Sequence, residues 1–376
     1  MSGIFLLNFL GRFIWGPLLV DIERDLAIQH TGAGSFFLLI SAGYFVGLFL
    51  SGHFSSRFNH QRTVVFSAIS GGVLLIATIV APSMPLLHLA LVGLGFCGGI
   101  YLPTGVACMT YRLVPRDFGK AIAFHEMAPS LGFIIGPLLA EMMLQWSNWR
   151  GALLPVAVAS ILAGIAYSRG PWTGDYRGVP LSIKNMRYIG TIPAFWWMSL
   201  PFLFSVGSNV GVFSMLPLYL QLERGMDQTH VNIMLSASRV GAMISVMAAG
   251  WIITRFEVKY LLIIIFFLAS LFTALLGLMP THLLWIPILI QPLLAAAFFV
   301  PAFSILSRTI PTQYRNLIVA LIVSAGMLMG GGAIPTLIGA FGDAGRFHTA
   351  FTILGLAAMA STILLLRIPL ADTETG

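Results

Sequence analysis

The sequence predicts an all-α membrane protein, with twelve transmembrane helices arranged as two pseudo-symmetric six-helix bundles. Three observations carry this. First, 58% of the 376 residues are hydrophobic, only 9% are charged, and the mean hydropathy is +0.92. Too few charges remain to coat a water-soluble surface of this size. Second, Gly, Pro and charged residues punctuate the chain into twelve stretches of about 20 mostly apolar residues, the length that crosses a bilayer. Third, the chain repeats itself: GHFSSRFNHQR at 52–62 returns as GWIITRFEVK at 250–259. The same shift of 198 carries Gly43 onto Gly241, Gly132 onto Gly330 and Pro137 onto Pro335. Two long copies indicate a duplicated bundle rather than a solenoid.

The predicted spans are 3–22, 34–54, 63–81, 85–110, 119–143 and 149–168 in the first half. The second half gives 193–220, 230–253, 260–279, 283–306, 316–341 and 347–367. In lipid these must be helices, because every backbone group has to be paired within its own segment. The domains are therefore a first bundle at 1–168, a polar linker rich in Gly and Pro at 169–192, and a second bundle at 193–376. With Met1 inside, the inner loops and tail collect most of the bases, including Arg57, Arg62, Arg112, Arg116, Lys120, Arg255 and Lys259, while the outer loops hold only Arg24, Arg150, Arg224 and Arg346. That asymmetry predicts both termini in the cytoplasm. The net charge of +7 then serves topology rather than nucleic-acid binding. Cys97 and Cys108 resemble neither a disulfide framework nor a metal site. No cleavable signal is expected, because the first apolar run is crossed by Arg12 and continues into span one.

Span one carries Asn8 and Arg12 one helical turn apart and ends in Asp21, Glu23 and Asp25. Arg12 lies about 12 Å along the helix from its start. It either snorkels to the near headgroups or serves function, the default for an intramembrane charge. The three acids read as solvated mouth residues. In span four, Gly93, Gly95, Gly98 and Gly99 suit close helix packing, and the following Tyr101 is a candidate substrate contact. Span five holds His125, Glu126, Gly132, Gly136 and Pro137. Glu126 lies about 10 Å beyond Gly119 on helical rise, where an ionised carboxylate in hydrocarbon is costly. It reads as a proton carrier with His125 as a second titratable group, or as a carboxylate paired with Arg112 or Arg116 at an inner gate.

Span seven contributes Asn209. Span eight places Asn232, Ser236 and Arg239 at spacings of four and three, on one helical face. Arg239 lies about 14 Å from either end, where snorkelling reaches poorly. It is a structural tie or an anion site, and no acid of spans seven and eight is available at its depth. Span ten contributes Gln291. The glycines 326, 330, 331 and 332 of span eleven weaken a helix by about 1 kcal/mol each relative to Ala, which suits a bending element.

These features resemble the major facilitator superfamily over essentially the whole chain. The loop after span two is similar to that family's gating loop, matching it at Gly52, Arg57 and Arg62, with Ser56 in place of the usual Asp and Asn59 in place of a Gly. The second copy keeps Gly250, Arg255 and Lys259, with Thr254 at the Asp position. Gly132, Gly136 and Pro137 are similar to the glycine-proline motif of exchangers. Arg12 stands thirteen residues before Asp25, the spacing at which organophosphate antiporters and anion:cation symporters place a substrate arginine. Arg239 is similar in location to the span-eight arginine of oxalate exchangers and monocarboxylate transporters. The acid those symporters carry in span four is replaced by Gly98 and Gly99, which leaves Glu126 as the internal proton candidate.

The resemblance implies a secondary transporter working by alternating access, not an enzyme, with no cofactor and no nucleic-acid partner. The expected cargo is a small organic anion, with Arg12 and Arg239 from opposite bundles as a two-armed clamp. Asn8, Asn232, Ser236, Tyr101 and Asn209 are the further candidate contacts. Protons or a counter-substrate would drive the cycle, through Glu126 and His125. The expected setting is a monomer in the cell inner or plasma membrane. A proton-coupled exporter of amphipathic drugs is the alternative cargo reading, and a non-transporting membrane sensor the alternative of another class.

Overall fold

The computed structural model describes residues 1–112, 115–170, 189–309 and 315–368, and among residues 111–120, 123, 307–308 and 315–317 nothing is said of side chains. The linker segment 171–188 and the inner-loop side chains of Arg112, Arg116 and Lys120 therefore lie outside the described residues. Among the described residues all regular structure is helical, and twelve helices are long and apolar enough to span a membrane. In the first half these are α1 (Ser2–Leu26), α2 (His30–Phe58), α3 (His60–Ile79), α4 (Met84–Thr110), α5 (Phe124–Leu144) and α6 (Trp149–Ser168). The second half contains α7 (Pro193–Glu223), α8 (Gln228–Ile252), α9 (Val258–Leu278), α10 (Trp285–Leu306), α11 (Ile318–Asp343) and α12 (Phe347–Leu366).

The duplication read from sequence is also a duplication of packing. In the first bundle α2 packs on α4 and α3 on α6; in the second, α8 packs on α10 and α9 on α12. The interface between bundles repeats the symmetry, with α2 against α11, α5 against α8, and α1 against α7. The most buried spans are α1 and α7, at 78% and 83% of their apolar windows, which puts them at the centre.

Proline explains where the central helices break. α1 is interrupted at Ile14, beside the carbonyl of Phe13 that Pro17 has no N–H to satisfy. α10 breaks at Phe298 for the same reason, beside the carbonyl of Ala297 that Pro301 has no N–H to satisfy. α7 and α11 instead open into π turns at Gly207–Gly211 and Met329–Ala333, and these turns pack on each other. The glycine run of α11 thus lies in a widened turn, with Pro335 just beyond it.

The two bundles close on the half distant from the chain termini. His30 and Thr31, opening α2, donate their backbone N–H groups to Asp343 at the end of α11, at 2.7 and 3.0 Å. The Thr31 hydroxyl binds the same carboxylate. Gln228 of α8 donates to Asp21 of α1 at 3.1 Å, and Thr229 to Glu141 of α5 at 2.6 Å. Backbones approach so closely there that a Cβ on Gly34 would lie 2.6 Å from the Pro335 carbonyl oxygen. Only glycine fits such a contact.

Candidate functional site

Halfway along α8, Arg239 is 3% exposed. Its two terminal nitrogens donate to Asn209 of α7, one to the side-chain oxygen at 2.5 Å and one to the backbone carbonyl at 2.7 Å. That carbonyl belongs to the π turn, so the widened turn presents two oxygens side by side to a planar fork. The Nε of Arg239 is buried without a hydrogen-bond partner. The guanidinium also stacks on two rings, 4.1 Å from Phe133 of α5 and 4.2 Å from Phe213 of α7. Among the described residues no carboxylate pairs with it. Asn209 therefore stands beside Arg239 as its partner, and Phe133 joins it from the other bundle.

Arg12 is equally buried, also 3% exposed, but its surroundings belong to the first bundle. Its Nε donates to the Asn8 carbonyl at 3.3 Å, and its guanidinium lies 4.4 Å from the centre of the Tyr44 ring on α2. Gly98 of α4 makes room: a Cβ there would be 2.9 Å from the Arg12 side chain. The absence of any side chain at this position is thus what lets Arg12 lie against α4. Asn8 faces the same way, its amide reaching Ser67 of α3 at 3.4 Å beside a cavity of about 10 Å3.

The two arginines do not share a hydrogen-bond partner. A continuous chain of rings joins them: Arg12 lies over Phe9 and Phe13, at 5.6 and 5.4 Å. These contact Phe133 at 4.8 and 5.7 Å, and Phe133 contacts Phe213 at 4.7 Å. Gly132 lets this assembly close, since a Cβ there would sit 2.5 Å from the Phe9 ring. Gly136 and Pro137 are buried on the same helix. Hydropathy counts phenylalanines as apolar filling, so their role as the wall around both cations was not legible in the sequence.

Asn232 and Ser236, on the Arg239 face of α8, reach across to α5. Asn232 donates to Glu141 at 2.9 Å and the Ser236 hydroxyl to the Ile134 carbonyl at 3.1 Å. Glu141 and Asp343 were not singled out from the sequence. The repeat gave no signal for them, since its shift of 198 carries Glu141 onto Gly339 and matches Asp343 with Gln145. The mouth acids are a correction: Asp21 binds Gln228, Glu23 is buried against His30 at 2.9 Å, and Asp25 holds Trp149 at 3.0 Å together with Arg150. All three tie helix ends that converge on that face; Glu23 is buried there, whereas Asp25 stays 45% exposed and keeps the solvated character expected of it.

Near the terminal face the expected contacts divide differently. Tyr101 is fully buried and meets His125 rather than Arg12, its hydroxyl 3.1 Å from Nε2 and 2.9 Å from the Met1 carbonyl oxygen. His125 Nδ1 lies 3.2 Å from Glu126. Glu126 itself is 53% exposed, which corrects the expectation that its depth along α5 buries it. Helical rise fixes depth but not exposure, and the Glu126 carboxyl stands beside His125 on an open side of α5.

In the gating loops, Arg57 and Arg62 are exposed, with Arg57 5.9 Å over Phe58. Arg255 stacks on Trp251 at 4.0 Å. Among the described residues neither the Arg57 nor the Arg255 side chain donates to an acid or a carbonyl. Lys259 does: its Nζ caps the end of α12 at the carbonyls of Leu366 and Ile368, at 3.0 and 2.6 Å. Gly52 is half-buried, and a Cβ on Gly250 would meet nothing within 4 Å.

Comparison with known proteins gives this arrangement its family. The chain is similar to the TsgA homolog of Serratia proteamaculans, 20% identical over 264 residues, which are 68% of this chain and 66% of that protein. It is 26% identical over 146 residues to the multidrug resistance protein B homolog of Mycobacterium tuberculosis, covering 38% of this chain and 26% of that protein. The chain thus spans under two thirds of the length of these curated relatives. Among solved structures it is similar in fold to a D-xylose-proton symporter, with a TM-score of 0.80, 14% identity and coverage of 98% and 96%. A bacterial homolog of the lysosomal transporter Spinster, in an inward-facing and occupied conformation, gives a TM-score of 0.77, 16% identity and coverage of 97% and 93%. Residues 1–322 match the Major Facilitator Superfamily as a family, and with its twelve helices in two bundles the chain belongs to that superfamily of membrane transporters.

Proposed function

We propose that this protein is a secondary transporter that moves a small organic anion, carboxylate or phosphate in type, by alternating access. The single observation that carries this reading is Arg239: a buried cation at the bundle interface, without an acid partner, whose fork is held by two neutral oxygens. Neutral oxygens leave the positive charge uncompensated, so an anion entering there gains more than it would beside a pre-paired arginine. Arg12 supplies a second uncompensated charge on the other side of the phenylalanine cluster. Glu126 and His125 are the groups for proton coupling. With both termini in the cytoplasm of an inner or plasma membrane, the sealed half described above faces outward and the substrate path opens inward.

The phenylalanine wall favours a second reading, export of amphipathic aromatic drugs, with the arginines structural. A thermal-shift screen of the purified protein against dicarboxylates, phosphate esters and cationic drugs separates the two, since a ligand that binds the folded state raises Tm by mass action. Stabilisation by anions that disappears in Arg239→Lys supports the first reading. Stabilisation by cationic drugs alone, unchanged in that variant, replaces it with the second.

A further inference from the structure

Tyr101 has one hydroxyl hydrogen and two acceptors in reach. The Met1 carbonyl oxygen lies 2.9 Å away and His125 Nε2 3.1 Å away. The Met1 carbonyl already accepts the Phe5 N–H at 3.0 Å, so it does not require the tyrosine. His125 is fully buried, its ring stacked 4.3 Å from Phe5 at 8° and its other nitrogen on Glu126. A buried imidazole between a hydroxyl and a carboxylate has its tautomer dictated by those neighbours.

Counting hydrogens leaves two consistent arrangements. With His125 neutral, Nδ1–H donates to the Glu126 carboxylate and Nε2 accepts the tyrosine hydrogen. With His125 protonated, Nδ1–H still donates to Glu126, Nε2–H donates to the tyrosine oxygen, and the tyrosine hydrogen turns to the Met1 carbonyl. One proton is gained, on Nε2, and no other bond to hydrogen forms or breaks. We propose that Tyr101 is a positioning residue of a one-proton site at His125 and Glu126, and that proton uptake swings its hydroxyl from His125 to the start of α1. The swing ties α4 to α1 only in the protonated form, and α1 is the helix that carries Arg12. This rests on the coupling role proposed above for His125 and Glu126.

Among the described residues the other titratable or charged groups around the site are few. Cys108 of α4 and Tyr167 of α6 share the apolar cluster with Tyr101. Tyr44 of α2, beside Arg12, lies within electrostatic reach of Glu126. The side chains of Arg112, Arg116, Asp117 and Lys120 are outside the described residues.

Protonation changes two atoms that an experiment can follow, Nε2 of His125 and the Met1 carbonyl carbon, whose oxygen gains the tyrosine hydrogen. The test is nitrogen NMR of 15N-histidine-labelled protein in nanodiscs across pH, with His125→Gln to assign the signal among the eight histidines. The expected result is a neutral form protonated at Nδ1, together with a shift of a 13C-labelled Met1 carbonyl that follows His125 protonation in wild type and is absent in Tyr101→Phe. A neutral form protonated at Nε2, or a Met1 carbonyl shift that still follows protonation in a Tyr101→Phe protein whose Tm matches wild type, overturns the proposal. Should Tyr101→Phe fold poorly, the wild-type tautomer alone decides. Proteoliposome uptake of labelled dicarboxylates under a pH gradient tests the coupling reading separately: the expected NMR without gradient-driven uptake sinks that reading and leaves the histidine site standing.

Discussion

Arg12 and Arg239 are alike in burial but unlike in company. Arg12 is enclosed by its own bundle, under Tyr44 and against the Gly98 gap. Arg239 takes its hydrogen bonds from one bundle and half of its aromatic sandwich, Phe133, from the other. When the bundles part, the surroundings of Arg12 can survive intact, whereas Arg239 must lose Phe133. The difference teaches that two equally buried cations need not be equivalent: Arg239 has contacts in both bundles, and Arg12 keeps its contacts within one.

The largest effect expected from this contrast is at Arg239. Arg239→Ala and Arg239→Lys should both weaken binding of the stabilising anion by about 10- to 100-fold, the worth of a charge-assisted bidentate contact, since an ammonium cannot reproduce the planar fork. Isothermal titration checks this, and wild-type affinity in the Lys variant would reduce Arg239 to a structural tie. Arg12→Gln should cost less, about 3- to 10-fold in the same titration, because its charge acts across the phenylalanine cluster rather than at the interface. Equal losses at the two positions would restore the symmetric clamp.

A smaller effect is expected where the bundles are latched. Asp343→Asn exchanges a full charge at the start of α2 for a neutral amide, weakening the contacts to His30 and Thr31. With Cys97 and Cys108 replaced by Ala, a cysteine at Ser35 should react about fivefold faster with a membrane-impermeant maleimide in the Asp343→Asn background. An unchanged rate would mean that the close backbone contacts at Gly34, rather than the carboxylate, hold the seal. The smallest effect belongs to the gating loops. Arg57→Ala and Arg255→Ala, both exposed, should shift Tm by no more than about 2 °C. Lys259→Met should shift it further, because Lys259 caps the end of α12.

Part of the site was readable in the chain itself. Arg239 stood out because hydropathy places its depth and the absence of an acid at that depth is a property of two helices alone. Asn232 and Ser236 followed from spacing on one helical face. Asn209 was legible as a polar residue of α7 but not as the partner of Arg239, because a π turn gives no composition signal beyond the glycines that flank it. Tyr101 and His125 lie 24 positions apart, and only the packing of α4 on α5 shows that they meet.

What the sequence determined by itself is local or periodic: twelve apolar runs of spanning length, a duplication at a fixed shift, and charges too deep in those runs to be ignored. These depend on composition along one helix, which needs no knowledge of neighbours. The tertiary structure alone decided which half of the bundles is sealed, and which way Glu126 turns. It also decided that the acids at the helix ends are clasps rather than free charge. His30 and Asp343 are 313 positions apart and meet at 2.7 Å. The azimuth of a helix and its register against a partner are set by side-chain interlocking between distant segments, and a hydropathy pattern carries no information about that.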